Sequence, residues 1–422
     1  MALTVYSDPA GTAPAPQRIA VVGLGYIGLP TAAALAQAGH QVVGVDVNPS
    51  VVASVNAGEC HIVEPGLHEL LKVVVAGGKL LASQEMPAAQ AYLIAVPTPV
   101  SHDGRFAPDL SYVFAATDMI APRLERGALI VLESTCPVGA TRQMISRLAQ
   151  ARPDLSFPDP ASPDGEVDVD IVYSPERVIP GRTLQELSTN ARVLGGATQS
   201  AAQRAARLYR SLTSGELLLT DDRSAEMVKL VENAFRDVNI AFANELSLIC
   251  DRIGLNVWDL ISLANHHPRV NILRPGPGVG GHCIAIDPWF IVAEAPEEAR
   301  LIRAAREIND GKPDFVVNKI RTHLLANPES TAACLGLAFK PDVDDFRESP
   351  ALLIAERLTR EFPGRIVCCD PHAALIEDHA LTVVELDQAL DCSIIVGLVA
   401  HDEYRRLPPP HGIIVDAGGL WT

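Results

Sequence analysis

The sequence is poor in the features that define several common classes of protein. Only eight of its 422 residues are cysteine and no Cys-x-x-Cys pair occurs, so the pattern indicates neither a disulfide scaffold nor a zinc site. No apolar run reaches the roughly 18 residues that a membrane-spanning helix needs. The N-terminus has neither the basic start nor the apolar stretch of a signal peptide. We therefore expect unpaired thiols, no bound metal, no membrane association and a cytoplasmic location.

Positive charge is also scarce. The 34 lysines and arginines stand against 51 aspartates and glutamates, which gives a formal net charge of −17. A surface with this balance repels nucleic acids and anionic lipids, so no nucleic-acid partner is expected, and an anionic ligand must be held by a local basic group. At 48% hydrophobic and 20% charged residues the composition is globular, and the length predicts two or three domains.

The first clear pattern is RIAVVGLGYIGLPTAAALAQAGHQVVGVDVN near the N-terminus. An apolar strand leads into Gly23, Gly25 and Gly28, a helical stretch follows, and a second strand ends at Asp46. Glycines in this order let the turn close and the backbone approach a pyrophosphate at the helix N-terminus, while the acidic residue accepts from a ribose 2′-hydroxyl. Because Asp46 would repel a 2′-phosphate, the pattern predicts a site for NAD rather than NADP.

Further apolar runs of strand length alternate with helical stretches. They occupy residues 91–99, 127–135, 169–177 and 215–220. This rhythm predicts a doubly wound sheet, whose ligands bind at the carboxyl ends of the strands, where Thr98, Thr135 and Glu176 fall. For each of the three, capping a turn is an equal alternative to binding a ligand. The Pro- and Asp-rich stretch 152–168 predicts an exposed loop without assigned chemistry.

A long helix is predicted from residue 222 to a stop at Gly254. Its broad apolar face makes it a candidate dimer element. Lys229 and Asn233 are four residues apart and therefore neighbours on one side, and Asp237 extends the row. A solvated polar stripe is the alternative interpretation of these residues.

The third segment starts near residue 330 and predicts strand, loop and helix, followed by three more strands. Ser349 is the predicted N-cap of the helix. The segment is a second α/β domain, but it lacks GxGxxG, so no second dinucleotide site is indicated. Lys340 and Arg347 place two cations beside a strand end, which suits a phosphate-bearing ligand. Ion pairs with the intervening aspartates are the competing explanation.

The stretch RPGPGVGGHCIAIDPWF, residues 274–290, places four glycines directly before a histidine and Cys283. Glycines remove the Cβ atoms that would block a ligand and permit positive φ around the thiol, so the pattern favours a reactive over a buried cysteine. Lys229 is the best candidate to favour the thiolate, whereas Asp287 would disfavour it and could instead hold a water or the lysine.

An NAD site and a nucleophilic thiol together predict two successive oxidations. The thiol captures an aldehyde as a thiohemiacetal, whose oxidation gives a thioester that water hydrolyses, so that a primary alcohol becomes an acid. One alternative is a two-electron β-hydroxyacid dehydrogenase, which also joins such a domain to long helices. The other is a non-catalytic sensor of NAD or nucleotide sugars.

From about residue 18 to the C-terminus the chain resembles the UDP-glucose/GDP-mannose dehydrogenase family. The resemblance rests on GLGYIGLP, AVPTP, ESTCPVG, SPERVIPG, KLVEN, FANE, GPGVGGHCIAIDP and GLAFKPDVDDFRESP. It implies two Rossmann-like doubly wound α/β domains joined by a central long-helix domain, and a homodimer or higher homo-oligomer. The implied boundaries are a disordered tail at 1–17, an NAD domain at 18–220, a central domain at 221–328 and a UDP-sugar domain at 329–422. The sequence of residues 266–292 is most similar to the branch that oxidises UDP-N-acetyl-D-mannosamine. The same reaction on UDP-N-acetylglucosamine or UDP-glucose is the alternative.

The resemblance also implies roles for individual residues. Cys283 would be the nucleophile, and Lys229 would move protons and, with Asn233, stabilise the oxyanion on C6. Asp287 would orient the water or the lysine, and Glu176 would assist hydrolysis of the thioester. The residues implied for NAD are Gly23, Gly25, Tyr26, Ile27, Gly28, Asp46, Thr98 and Thr135. Those implied for the UDP-sugar substrate are Arg177, Val178, Arg236, His267, Arg269, Gly280, Phe339, Lys340 and Arg347.

Overall fold

The computed structural model describes residues 3–6, 15–99, 108–159, 165–179, 181–281, 283–376 and 380–421. The chain divides into two compact units, Met1–Val231 and Glu232–Thr422. Within the described residues, no helix is both long enough and apolar enough to cross a membrane. None of the eight cysteines, all of which are described, forms a disulfide.

The first unit alternates strands and helices. Its elements are β1 (Thr4–Val5), β2 (Arg18–Val22), α1 (Gly28–Gln37), β3 (Gln41–Val45), α2 (Pro49–Asn56), α3 (Leu67–Ala76), β4 (Leu80–Ser83), β5 (Ala91–Ile94), α4 (Ser111–Ile120), β6 (Ala128–Leu132), α5 (Ala140–Ala151), β7 (Val169–Tyr173), α6 (Thr183–Thr189), β8 (Arg192–Gly196), α7 (Gln199–Tyr209) and β9 (Leu217–Asp221). A 3₁₀ turn at Ala121–Arg123 follows α4.

These strands form one sheet in the order β1-β9-β8-β7-β6-β5-β2-β3-β4. Pairing is parallel except between β7 and β8 and between β1 and β9. Alternate residues of the central strands enter separate cores on the two faces: Val21 and Leu93 pack on the side of α1 and α7, and Ala20 and Tyr92 on the side of α4 and α5. Burial of both faces explains why these strands are continuous apolar runs and confirms the predicted doubly wound sheet.

The structure has three strands that the sequence analysis did not predict: β1, β4 and β8. Thr4 and Val5 pair with Leu219 and Leu218 of β9, so the predicted disordered tail is wrong at these residues; residues 7–14 lie outside the described part. The added strand covers what would otherwise be a sheet edge. Strand β8 was not predicted, because it ends in two glycines that weaken the apolar signal. An alanine Cβ on the first of these, Gly195, would lie 2.4 Å from the Cβ of Ala225, in the helix that follows β9.

Helix α8 (Asp222–Ile253) begins in the first unit and continues into the second, and it ends before Gly254 as predicted. The elements after it are α9 (Val257–Ala264), α10 (Asp287–Glu294), α11 (Arg300–Ala326), β10 (Ala332–Leu335), α12 (Pro350–Glu361), β11 (Ile366–Cys369), α13 (Leu386–Leu390), β12 (Ile394–Gly397), α14 (Asp402–Arg405) and β13 (Ile413–Asp416). The strands form a parallel sheet in the order β11-β10-β12-β13. Ser349 caps α12 by accepting from the Leu352 N–H, as predicted.

The two sheets share the geometry of one turn. Gly23 after β2 and Gly336 after β10 have φ of +90° and +81°. A Cβ on either glycine would lie 2.5 Å from a backbone carbonyl oxygen of the neighbouring strand's end, that of Ala95 or Val399. Both turns therefore need glycine for its positive φ and for the close approach of another backbone.

We predict that Gly336→Ala destabilises the protein more than Gly364→Ala does. Both glycines have positive φ, so both variants should lose about 1–2 kcal/mol from backbone strain. At Gly364 no described atom lies within 4 Å of the added Cβ, whereas at Gly336 the clash should add about 1–3 kcal/mol. Urea denaturation of the two variants measures the difference; equal losses would show that the close approach costs nothing.

Candidate active site

The turn between β2 and α1 has the shape that a dinucleotide pyrophosphate requires. A Cβ on Gly28 would lie 1.8 Å from the carbonyl oxygen of Gly23, so this glycine lets the helix pack on the turn. A Cβ on Gly25 would meet no described atom within 4 Å, so its backbone faces open space. Within the described part of the chain, no side chain caps the first turn of α1. The N-terminus that includes Tyr26 and Ile27 is therefore suited to an anion.

Asp46 stands where the ribose of the dinucleotide is expected, at the end of β3. Its carboxylate accepts hydrogen bonds from the N–H groups of Leu24 and Asn48, each at 2.9 Å. The first bond ties the acid to the glycine turn and fixes its orientation. A half-buried carboxylate held in this way accepts from a 2′-hydroxyl and repels a 2′-phosphate, which fits NAD.

Thr98 and Thr135 follow the neighbouring strands β5 and β6, and both are half-buried. Ser134, which the sequence analysis missed, joins the two segments. Its hydroxyl donates to the Val96 carbonyl at 2.7 Å and accepts from the Val96 N–H at 2.9 Å. This bridge positions the threonines on the carboxyl edge of the sheet, as predicted.

Glu176 follows β7 and is buried. Its Oε1 accepts from the N–H groups of Arg177 at 2.6 Å and Val178 at 2.9 Å, and its Oε2 accepts from Nη2 of Arg192 at 3.0 Å. The carboxylate therefore caps its own turn, the alternative that the sequence left open. The chain that follows this turn is held by a second carboxylate. Buried Glu64 accepts from the N–H groups of Gly181 and Thr183 at 2.8 and 2.7 Å.

Arg192 belongs to a buried cluster that the sequence analysis did not find. Its guanidinium lies 4.9 Å from the centroid of the Tyr209 ring, and its Nη1 is 3.8 Å from Oε1 of Glu133. The Tyr209 hydroxyl donates to the same Glu133 oxygen at 2.5 Å. Burial raises the pKa of Glu133 to about 7, with Arg192 opposing the rise and Glu176 adding to it. Glu133 directly follows β6, Arg192 begins β8 and Tyr209 ends α7, so no sequence spacing signals the cluster.

In the second unit, Cys283 is exposed, and its carbonyl accepts from the Asp287 N–H at 2.8 Å in the turn that opens α10. Asn233 of α8 donates from its amide nitrogen to Oδ2 of Asp287 at 2.5 Å, and Asp287 is buried. The structure thus joins Asn233 and Asp287, two of the predicted site residues. Lys229 lies one turn earlier on α8 and is half-buried.

The glycines of the cysteine loop, residues 274–286, have a packing role that the sequence analysis did not predict. A Cβ on Gly280 would lie 2.4 Å from the carbonyl oxygen of Glu348, and one on Gly278 would lie 2.9 Å from Pro350. Gly281 has φ +82°, and its Cβ would lie 3.1 Å from the Phe339 ring. At these positions the bare backbone admits the 339–350 loop, and the positive φ expected near the thiol is present at Gly281. Space for a ligand, with Gly280 as a substrate contact, stays a prediction.

The two predicted phosphate-binding cations have intramolecular contacts of their own. Arg347 forms two bonds to Asp345, Nε–Oδ1 at 2.9 Å and Nη2–Oδ2 at 2.7 Å, so the ion pair named as the alternative is present. Phosphate binding by this arginine stays a prediction. The Lys340 ammonium lies 5.4 Å from the Phe339 ring centroid. Both cations remain on the loop that packs against the cysteine loop.

Other predicted substrate residues lie on the surface. Arg236, His267 and Arg269 are exposed. Arg274, which the sequence analysis did not single out, lies with its guanidinium 5.2 Å from the Trp258 ring centroid. Among the described residues, no group of three or more His, Cys, Asp or Glu side chains could hold a metal ion.

Three domain models of one family match successive parts of the chain. In the UDP-glucose/GDP-mannose dehydrogenase family, the NAD binding domain matches residues 17–213, the central domain 223–311 and the UDP binding domain 333–421. A β-hydroxyacid dehydrogenase requires neither a cysteine loop nor this third domain, so the matches oppose that alternative.

Individual relatives cover nearly the whole chain. UDP-N-acetyl-D-mannosamine dehydrogenase of Salmonella typhi is 53% identical over 418 residues, 96% of this chain and 99% of the relative. NDP-N-acetyl-D-galactosaminuronic acid dehydrogenase of Ralstonia nicotianae is 51% identical over 411 residues, 96% of each chain. The solved structure of UDP-D-ManNAc dehydrogenase from Pyrococcus horikoshii gives a TM-score of 0.85 at 38% identity and 96% coverage of both chains. The chain belongs to the NAD-dependent UDP-glucose/GDP-mannose dehydrogenase family.

Proposed function

We propose that this enzyme oxidises the C6 hydroxymethyl group of a UDP-sugar to a carboxylate in two steps at Cys283. The proposal rests above all on the exposed Cys283, whose carbonyl accepts from the N–H of Asp287, the residue that Asn233 contacts. The glycine turn and Asp46 of the first unit fit the dinucleotide that a hydroxymethyl oxidation needs. An alcohol-to-acid conversion removes four electrons, so two NAD are reduced for each sugar.

Different residues of the chain carry out the separate steps of this reaction. NAD, when bound, accepts a hydride from the sugar carbon in each oxidation. The Cys283 thiolate adds to the aldehyde of the first step, and the resulting oxyanion is stabilised by the Lys229 ammonium and the Asn233 amide. Asp287 orients that amide through its 2.5 Å hydrogen bond. Removal of the second hydride leaves a thioester, and Glu176 takes a proton from the water that releases the acid and regenerates the thiol.

The substrate we favour is UDP-N-acetyl-D-mannosamine. The Salmonella relative that carries this name is 53% identical, and the Ralstonia relative named for an N-acetylgalactosaminuronic acid is nearly as similar at 51%. The two names differ in the sugar, not in the nucleotide-bearing class of substrate. We infer that Lys340 and Arg347 hold the diphosphate, and that the exposed His267 and Arg269 contribute to the choice of sugar.

The expected yield is two NADH for each molecule of UDP-N-acetyl-D-mannosamine consumed. Cys283→Ser should lower the rate by at least about 1,000-fold, because the nucleophile is lost. Cys392→Ser, at a half-buried thiol of the same unit, is the matched control and should behave as the parent. NADH absorbance with product analysis measures both quantities, and UDP-N-acetylgalactosamine and UDP-glucose run in parallel identify the preferred sugar. One NADH per sugar, or full turnover by Cys283→Ser, would overturn the mechanism.

We also infer that two chains pair along α8. Phe235, Phe242, Ile249 and Ile253 follow one face of this helix and are 71%, 51%, 48% and 60% exposed in the single chain. The spacing of seven, seven and four residues keeps these side chains on one side of the helix. An exposed apolar stripe of this length is typical of a surface that binds another protein chain.

Phe242→Glu should convert a dimer into a monomer of 45.0 kDa, because the substitution places a charge in the middle of the buried stripe. Phe242→Leu keeps the stripe apolar and should leave the dimer intact. Light scattering after size exclusion gives the masses. A parent that is monomeric at micromolar concentration, or a dimeric Phe242→Glu variant, would refute this assembly.

A further inference from the structure

The buried cluster around Arg192 holds more negative than positive charge. It contains the carboxyl groups of Glu133 and Glu176, one guanidinium and the Tyr209 hydroxyl, and all four residues are buried. The Ser174 hydroxyl lies beside Tyr209 at the same place. One cation cannot fully compensate two buried carboxylates.

The distances show how the single guanidinium is placed between the two carboxyl groups. Nη2 of Arg192 donates to Glu176 at 3.0 Å, while Nη1 stays 3.8 Å from Glu133 and has no hydrogen-bond partner among the described residues. Oε2 of Glu133 is likewise without a described partner. The Arg192 guanidinium is therefore hydrogen-bonded to Glu176, and Glu133 lies close enough to compete for it.

We propose that Arg192 is the positioning residue for Glu176, and that a proton on Glu133 keeps Arg192 committed to it. This inference rests on the proposed function, in which Glu176 is the base for thioester hydrolysis. Nothing in the proposed mechanism gives Glu133 or Arg192 a contact with substrate, so both act through Glu176.

The hydrogen bonds explain why the position matters. A carboxylate offers about four lone-pair sites. Three of those on Glu176 are taken, by the N–H groups of Arg177 and Val178 and by Arg192. One site is left for a water, in a direction fixed by the other three. If Glu133 ionised, it would draw the guanidinium away and free the carboxylate to rotate.

The first test is Arg192→Gln, followed by rapid mixing with NAD and UDP-N-acetyl-D-mannosamine. The two oxidations should remain within about twofold of the parent, giving a burst of two NADH per site. Steady-state turnover should fall about 100-fold, at the low end of what a general base contributes, and intact mass should show an acyl adduct on Cys283. Arg192→Lys, which retains one charged donor, should recover part of the hydrolysis rate.

Arg204→Gln is the matched control, because Arg204 pairs with Asp170 at 2.8 Å in the same unit but does not touch Glu176. It should show the parent's burst and turnover. If Arg192→Gln slows the burst and the turnover in equal proportion without an adduct, Arg192 merely supports the fold and the inference is wrong. If the parent does not produce two NADH per sugar, the proposed function fails first and the inference falls with it.

Glu133→Gln gives a second test that keeps the packing. Gln cannot ionise, so it cannot compete for Arg192 at any pH. Glu133 of the parent loses its proton above pH 7, so the ratio of the variant's hydrolysis rate to the parent's should increase in that range. Because hydroxide attacks the thioester of both proteins directly, the ratio removes that contribution. A ratio that is constant from pH 6 to 9 would contradict a role for this proton.

The stability of the same variant reports on Glu133 without any turnover. The pKa of Glu133 is raised from 4.5 to about 7 in the folded protein, so between these values the folded state binds the proton more tightly than the unfolded state. The parent should therefore lose stability as pH rises from about 4.5 to 7, and Glu133→Gln should lack this loss. The urea midpoint of the variant relative to the parent should be higher at pH 8 than at pH 5; equal differences would show that Glu133 does not hold the proton.

Discussion

The second unit depends on the close approach of the glycine backbone of the cysteine loop to the 339–350 loop. The cysteine loop meets the 339–350 loop so closely that a single Cβ on Gly280 would fall 2.4 Å from the Glu348 carbonyl oxygen. Glu348 itself has φ +51°, a conformation that costs energy for a residue with a side chain. The contact joins the loop that carries the thiol to the loop that carries Lys340 and Arg347. The loop of Cys283 and the loop of the candidate phosphate-binding groups are thus packed directly against each other.

A buried polar network supports the cysteine loop from its other side. Asn244 of α8 accepts from the Gly276 N–H at 2.9 Å and donates to Asn309 of α11 at 2.8 Å. Asn309 in turn donates to Asp237 at 2.8 Å, and Arg306 pairs with the same carboxylate at 2.6 Å. Burial raises the pKa of Asp237, and Arg306 opposes that rise. In so buried a network, loss of one partner would leave another polar group without a hydrogen bond and destabilise the fold. Asp237 therefore belongs to the buried framework of the second unit, although its spacing places it in one row with Lys229 and Asn233 on α8.

The two sheets use the same turn for different purposes. In each, an aspartate at the end of the second strand accepts from the turn: Asp46 from Leu24 at 2.9 Å and Asp370 from Leu337 at 2.6 Å. Asp370 also accepts from the His372 N–H at 2.8 Å and lies 3.3 Å from the ring of buried His401. With its oxygens engaged in this way, Asp370 is poorly suited to a ribose hydroxyl, whereas Asp46 remains half-buried at the surface. The physical difference between the two sites lies in what surrounds the acid.

Local pattern predicted most apolar strands of the doubly wound sheet, the glycine turn with Asp46, the span of α8 and the cap at Ser349. Each of these follows from periodicity, turn chemistry or a motif within about thirty residues. Which residues meet from distant elements depends instead on how the whole chain folds. The Glu133–Arg192–Tyr209 cluster, the pairing of β1 with β9, the Asn244 network and the packing that requires glycine at Gly280 all join residues brought together by folding. Burial and close approach are properties of the assembled chain, and no local spacing encodes them.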